Sequence, residues 1–274
     1  MLALFSSACQ ESGSKIKPAV LKFSDLAETG VRVGIVDPDL GPAGRYALDV
    51  LERLKSCDAI QAEAITDNII THESHVRALL DKLMRREIDA GFIYRSDALS
   101  VAPRLAVIEI PTSFSVSPEY ALARIQGTLS PEGALHFIDW LMASAQLEAW
   151  LKYGFKPPPA SPDEANAVNV TTAIIPAAVD PAAKLTIFAA AVFYDVLRCL
   201  SQQYMDLNGV EIVCEFAGSG KLYQKIAQGA QGVYGADVFL SAAPRYIADL
   251  ERSGRADHMQ IFMCNDLVVG VVKP

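Results

Sequence analysis

An α/β fold in two units, each a mostly parallel sheet flanked by helices, is predicted by three observations. Short continuous apolar runs alternate with amphipathic stretches along most of the chain, the pattern of strands buried on both faces and covered by helices. Of the 274 residues 51% are hydrophobic and only 20% charged, enough to build a core and too apolar for a disordered chain. Residues 156–183 (KPPPASPDEANAVNVTTAIIPAAVDPAA) carry prolines at 157, 158, 159, 162, 176 and 181. Proline fixes φ and removes a donor, so this stretch reads as a linker or strap that divides two alternating segments.

In the first segment, residues 31–36 (VRVGIV) read as a buried strand. Residues 45–55 place Ala47, Val50, Leu51 and Leu54 on one helical face, and residues 75–85 do the same with Val76, Leu79, Leu80 and Leu83. Strands are expected at 89–94, 105–110 and 119–125. One long helix is expected at 131–152, with Leu135, Ile138, Met142 and Ala145 inward, Pro131 in its first turn and Ser130 as its cap. In the second segment, strands are expected at 185–190, 210–216, 237–241 and 267–272, and helices at 194–207, 220–228 and 244–253. No repeat of solenoid period is visible.

Lys and Arg total 24 against 32 Asp and Glu, a net charge of −8. Nucleic acid is therefore not the expected partner, because a phosphate backbone needs a basic face. A single small anion remains compatible, since local amides and hydroxyls bind it rather than the field of the whole protein. The five cysteines, Cys9, Cys57, Cys199, Cys214 and Cys264, show no CxxC pair or zinc spacing. The last four read as small buried hydrophobes. Residues 1–8 (MLALFSSA) end in small side chains before Cys9, like the tail of a lipoprotein signal with Cys9 as the lipidated residue. No apolar run approaches the ~18–20 residues of a membrane helix.

Three strand-to-helix turns are built of small residues: Gly41-Pro42-Ala43-Gly44, Ala189-Ala190-Ala191 and Gly218-Ser219-Gly220. A helix start presents free N–H groups and a positive dipole end, and small side chains let a ligand approach them. In open α/β sheets, ligands bind beyond the carboxyl ends of strands. The third turn is not a P-loop, because Lys221 is followed by Leu222, and it lacks the spacing of a nucleophile elbow. His72 and His75 flank Glu73 and Ser74 and read as a solvated helix start, not a metal site. No Ser/His/Asp order, Cys/His pair or paired carboxylates stand out, so no enzyme is expected.

With these turns in place, residues 184–274 (KLTIFAAAVFYDVL … FAGSGKLYQKIAQGA … ADVFLSAAPRYIADLERSG … NDLVVGVVKP) resemble the beginning of the molybdate-binding proteins of bacterial ABC importers. Residues 23–155 (FSDLAETGVRVGIVDPDLGPAGRYALDVLERL … HESHVRALLDKLMRREIDAGFIYRSDAL … WLKYGF) resemble the rest, so the two halves stand in circularly permuted order. The resemblance implies a two-lobed periplasmic-binding-protein-like fold with a tetrahedral oxyanion, molybdate or tungstate, held in the cleft by neutral groups. It implies no cofactor, no metal beyond the oxyanion and no catalysis. The matching positions are Ala43 and Val76 through backbone N–H, Ser219 and Tyr94 through hydroxyls, and Val192. The family usually has Ser at the last of these. Val192 retains only its N–H, and a lost hydrogen bond to a charged group is worth about 1.5–3 kcal/mol.

The expected function is delivery of the oxyanion to an ABC transporter permease by a monomer in the periplasm or on the outer face of the cell membrane, anchored there if Cys9 carries lipid. The alternative is a sensory or regulatory domain of the same fold with weakened or altered anion binding. The expected organisation is an N-terminal segment (1–22), a contiguous lobe (23–112), and a second lobe of two pieces (113–155 plus 184–274) joined by the linker at 156–183. In that arrangement only residues 112–118 cross between the lobes near the hinge, and Pro274 ends near residues 15–20.

Overall fold

The computed structural model describes residues 20–159, 184–229 and 235–273. The first segment folds as β1 (Val33–Val36), α1 (Pro42–Lys55), α2 (Ala59–Asp67), β2 (Ile69–Glu73), α3 (Val76–Met84), β3 (Ala90–Tyr94), α4 (Arg95–Ser100) and β4 (Leu105–Ile108). The chain then crosses to β5 (Glu119–Ile125), α5 (Pro131–Met142) and α6 (Ser144–Lys152). The second segment follows as β6 (Lys184–Ala190), a 3-10 turn (Ala191–Phe193), α7 (Tyr194–Asn208), β7 (Glu211–Ala217), α8 (Ser219–Ala227), β8 (Val238–Ser241), α9 (Pro244–Arg252), β9 (Ala256–Cys264) and β10 (Leu267–Val272).

These strands form two five-stranded sheets, ordered β2-β1-β3-β10-β4 and β7-β6-β8-β5-β9. In each, the first three strands pair in parallel, and the fourth is antiparallel to both of its neighbours. That fourth strand comes each time from the other half of the chain. After β4 the chain crosses and enters the second sheet as β5; after β9 it crosses back and enters the first as β10. The two sheets therefore share one topology, a repeat that the residues themselves do not display.

The placement of β10 corrects the expected lobe boundary. Residues 267–272 were expected in the second lobe, but Leu267 to Val271 pair with Tyr94 to Ala90, and Val269 to Val272 with Ile108 to Leu105. The sequence LVVGVV is apolar on both faces and nearly all buried, which marks a central strand without saying of which sheet. Gly270 lies opposite Gly91, where the Ile93 and Leu105 side chains fill the space beside it. A single crossing at 112–118 is thereby also corrected: residues 265 and 266 form a second one. It is well braced. Asn265 is fully buried, its Nδ2 donates to Ser96 Oγ at 2.8 Å, and its backbone N–H donates to Pro118 O at 2.9 Å. Arg95 and Lys156 both pair with Asp266.

The long helix expected at 131–152 is two helices, broken at Ala143, whose backbone is extended (φ −61°, ψ 144°). No breaker residue stands there. The indole of fully buried Trp150 donates to Leu141 O at 3.1 Å, which ties the second helix back against the first. Pro131 occupies the first turn of α5 as expected, but the Ser130 hydroxyl makes no cap bond. Lys156, expected to open the linker, forms a bridge with Cys264. The remainder of that linker from 160, Cys9 and the meeting of Pro274 with residues 15–19 lie outside the described residues.

One apolar cluster runs through both sheets. Its middle is aromatic: Tyr120 stacks edge-on against Tyr94, Phe155 and Phe193, with centroids 5.8, 5.7 and 5.2 Å away. Since Tyr94 ends β3 and Tyr120 lies on β5, this packing fixes the two sheets to each other beneath their strand ends.

Candidate functional site

The carboxyl ends of three strands in each sheet converge on one pocket. From the first sheet come Gly41, Pro42 and Ala43 after β1, His75 and Val76 after β2, and Tyr94 at the end of β3. From the second come Ala190, Ala191 and Val192 after β6, Gly218 and Ser219 after β7, and Ala242 after β8. The three turns of one sheet are the topological counterparts of the three of the other. All five residues singled out from sequence, Ala43, Val76, Tyr94, Val192 and Ser219, line this space, and none is more than 4% exposed.

Four helical starts face the pocket: α1 at Pro42, α3 at Val76, the 3-10 turn at Ala191 and α8 at Ser219. First-turn N–H groups have no intrahelical acceptor, and the aligned peptide dipoles make each such end positive. Proline at the first position of α1 leaves the next amide, that of Ala43, as the first donor. The Ser219 hydroxyl is fully buried and accepts the Ala242 N–H at 3.0 Å, which turns its own hydrogen elsewhere. Tyr94 Oη is buried and has no hydrogen-bond partner among the described residues. Burial holds the Tyr94 phenol well above its ordinary pKa, so it stays protonated and remains a donor.

His75 stands at a helix start, as expected: it is the N-cap of α3, its Nδ1 accepting the Ala78 N–H at 3.2 Å. It is half-buried rather than fully solvated and borders the pocket. Burial lowers its pKa, so the ring is neutral and carries its proton on Nε2. Histidine is not among the favoured caps, and the sequence marked His75 as a helix start without placing it at the pocket. Ala242 was also missed, because an alanine after a strand carries no chemical signal.

Among the described residues no Asp, Glu, Lys or Arg side chain lines the pocket. The space open to the centre of a water molecule is about 20 Å³, against ~10–15 Å³ for a single water, so only a compact group fits. The turns close over it tightly. A Cβ on Gly218 would lie 2.5 Å from Leu40 O and 2.9 Å from Ser74 O, both backbone atoms of the opposite sheet's turns. Glycine is what allows the two sets of turns to meet. Among the described residues no group of three His, Cys, Asp or Glu is placed to hold a metal ion, and no helix is long and apolar enough to cross a membrane.

Comparison with known proteins identifies relatives of this architecture. The family described as bacterial extracellular solute-binding protein matches residues 11–156 and 185–274. The molybdate-binding protein ModA of Mycobacterium tuberculosis (strain ATCC 25618 / H37Rv) is 29% identical over 139 residues, 51% of this chain and 49% of its own. A putative ABC transporter substrate-binding lipoprotein of Bacillus subtilis, YvgL, is 28% identical over 137 residues, 50% of each chain. The chain thus spans about half the length of the curated relatives it matches. A phosphate-binding protein of a Streptococcus pneumoniae phosphate ABC transporter superposes with a TM-score of 0.48 at 11% identity, covering 89% of both chains.

Proposed function

This chain belongs to the bacterial extracellular solute-binding protein family, and from that premise we propose that it binds one fully deprotonated tetrahedral oxyanion, molybdate or tungstate, for an ABC importer. What supports the reading is the pocket's lining: helix starts and two hydroxyl-bearing residues, Ser219 and Tyr94, around a compact space, with no charged side chain among the described residues. Such a lining offers donors in excess of acceptors. Molybdate, tungstate and sulfate bring only acceptors and match it. Monohydrogen phosphate brings a donor of its own, which needs a carboxylate or similar acceptor that this lining lacks, and an unmatched buried polar group costs about 1–3 kcal/mol.

In this reading Ala43, Val76 and Val192 bind through backbone N–H, and Ser219 and Tyr94 through their hydroxyls. Val192 contributes no hydroxyl, which leaves the second sheet one donor poorer than its relatives and predicts weaker affinity. The ModA relatives support molybdate as the ligand class. The lipoprotein relative supports work outside the cytoplasmic membrane; anchoring through Cys9 is the part of this reading that rests on the sequence alone. The circular order of the halves rests on the resemblance; the shared topology of the two sheets, each completed by a strand from the other half, is compatible with it, because chain ends can move between equivalent points and leave both intact.

Isothermal titration with molybdate, tungstate, sulfate and phosphate tests this function. Heat with the first two, less with sulfate and none with phosphate is expected. A folded protein that takes up none of the four, or phosphate best, contradicts it.

A further inference from the structure

Arg77 follows Val76 in the first turn of α3 and reaches across the cleft. Its guanidinium pairs with the carboxylate of Asp195, in the first turn of α7, and its Cζ lies 5.6 Å from the centroid of the Tyr194 ring. On its own side, Nη1 donates to Ser100 Oγ at 3.3 Å, and Nε stands 3.7 Å from Asp97 Oδ1. The Asp97 side chain is fully buried. Neither of its oxygens, nor Arg77 Nε, makes a well-formed hydrogen bond among the described residues.

One guanidinium therefore serves two carboxylates in opposite parts of the molecule, and only one of them has it fully. A buried carboxylate without good hydrogen bonds is costly. Burial pushes Asp97 up to about 7, against the pull of Arg77 and of the Tyr94 backbone N–H, with Asp195 adding to the rise. The contact with Asp195 joins α3 of one side to α7 of the other, so parting the turns would break it. Once they part, Arg77 has the buried Asp97 carboxylate beside it, Nε already 3.7 Å from Oδ1. We propose that Arg77 is a positioning residue for the pocket, a two-position latch that pairs with Asp195 across the closed cleft and with Asp97 when the cleft opens. The inference rests on the oxyanion reading and adds what holds the anion in. The latch joins the helical starts that carry Val76 and Val192, so it acts through those amides without touching the ligand.

The test uses the full chain with Asp195→Ala and Arg77→Gln, each read by molybdate dissociation rate in stopped-flow fluorescence and by radius of gyration without ligand. Either change should speed dissociation on the order of tenfold with association unchanged, as expected of a cross-cleft charge pair. The radius of gyration should rise. The two together should do no more than either alone. Asp97→Asn should do the opposite and slow dissociation, because it removes the partner of the open state. If both variants keep the wild-type dissociation rate and radius of gyration while circular dichroism shows them folded, the latch is excluded. If wild-type protein takes up no molybdate or tungstate, the oxyanion reading fails and the radius of gyration alone decides the latch.

Discussion

The three turns from the first sheet and the three from the second sit at equivalent strand ends, yet they bring different groups to the pocket. Two of the first sheet's three turns carry longer side chains: His75 caps its own helix, and Tyr94 lines the pocket with a phenol ring. The second sheet's turns are thin. Ala190-Ala191-Val192 and Gly218-Ser219 carry little beyond backbone, with one hydroxyl, and the Gly218 turn lies against Leu40 and Ser74 of the other side. Identical topology thus supplies a common geometry of amides, while the side chains divide the work. One face shapes the pocket and the other comes close enough to seal it. The asymmetry extends to Val192, where the thin face offers a backbone N–H and no hydroxyl.

Each half of that contrast can be attacked separately. The largest effect is expected from Gly218→Ala, which places a methyl against backbone oxygens that cannot rotate away. Overpacking of this kind costs about 1–3 kcal/mol. Here it falls on closure, so molybdate affinity by titration should drop up to roughly 100-fold while each sheet stays folded. Ser219→Ala comes next. It removes a donor to the anion, worth about 1.5–3 kcal/mol, and also leaves the buried Ala242 N–H without its acceptor. Both affinity and melting temperature should therefore fall; an unchanged dissociation constant would remove Ser219 from the site. Tyr94→Phe should separate the two quantities. Its hydroxyl has no partner among the described residues, so the melting temperature should hold or rise while affinity falls about tenfold. The smallest change is a gain: Val192→Ser should tighten binding several-fold by returning a hydroxyl to the thin face, read in the same titration.

Much of this pocket was legible in the residues, because its donors sit where strands end and helices begin, and those junctions leave local marks. Gly41-Pro42-Ala43 and Gly218-Ser219-Gly220 announce themselves as small-residue turns. What escaped depends on contacts distant in sequence. β10 reads clearly as a strand, but its membership is set by Gly270 fitting against Gly91 and the side chains of Ile93 and Leu105. The strand β2 (IITHE) is only half-buried and too polar for an apolar run. β9 (ADHMQIFMC) lies at a sheet edge and shows neither a continuous apolar run nor clean alternation. The break at Ala143 follows from the reach of Trp150 to Leu141, not from any residue at the break. Arg77 carried no signal either, since its partner Asp195 is 118 positions away.

The central claim is that the strand ends of both sheets enclose a single oxyanion, and heavy-atom crystallography with tungstate tests it most directly. One tungsten anomalous peak is expected between the two sheets, within hydrogen-bond reach of the Ala43, Val76 and Val192 amides and the Ser219 and Tyr94 hydroxyls. A well-ordered crystal grown with tungstate that shows no peak there, or one held by a single sheet with the other turned away, would contradict it.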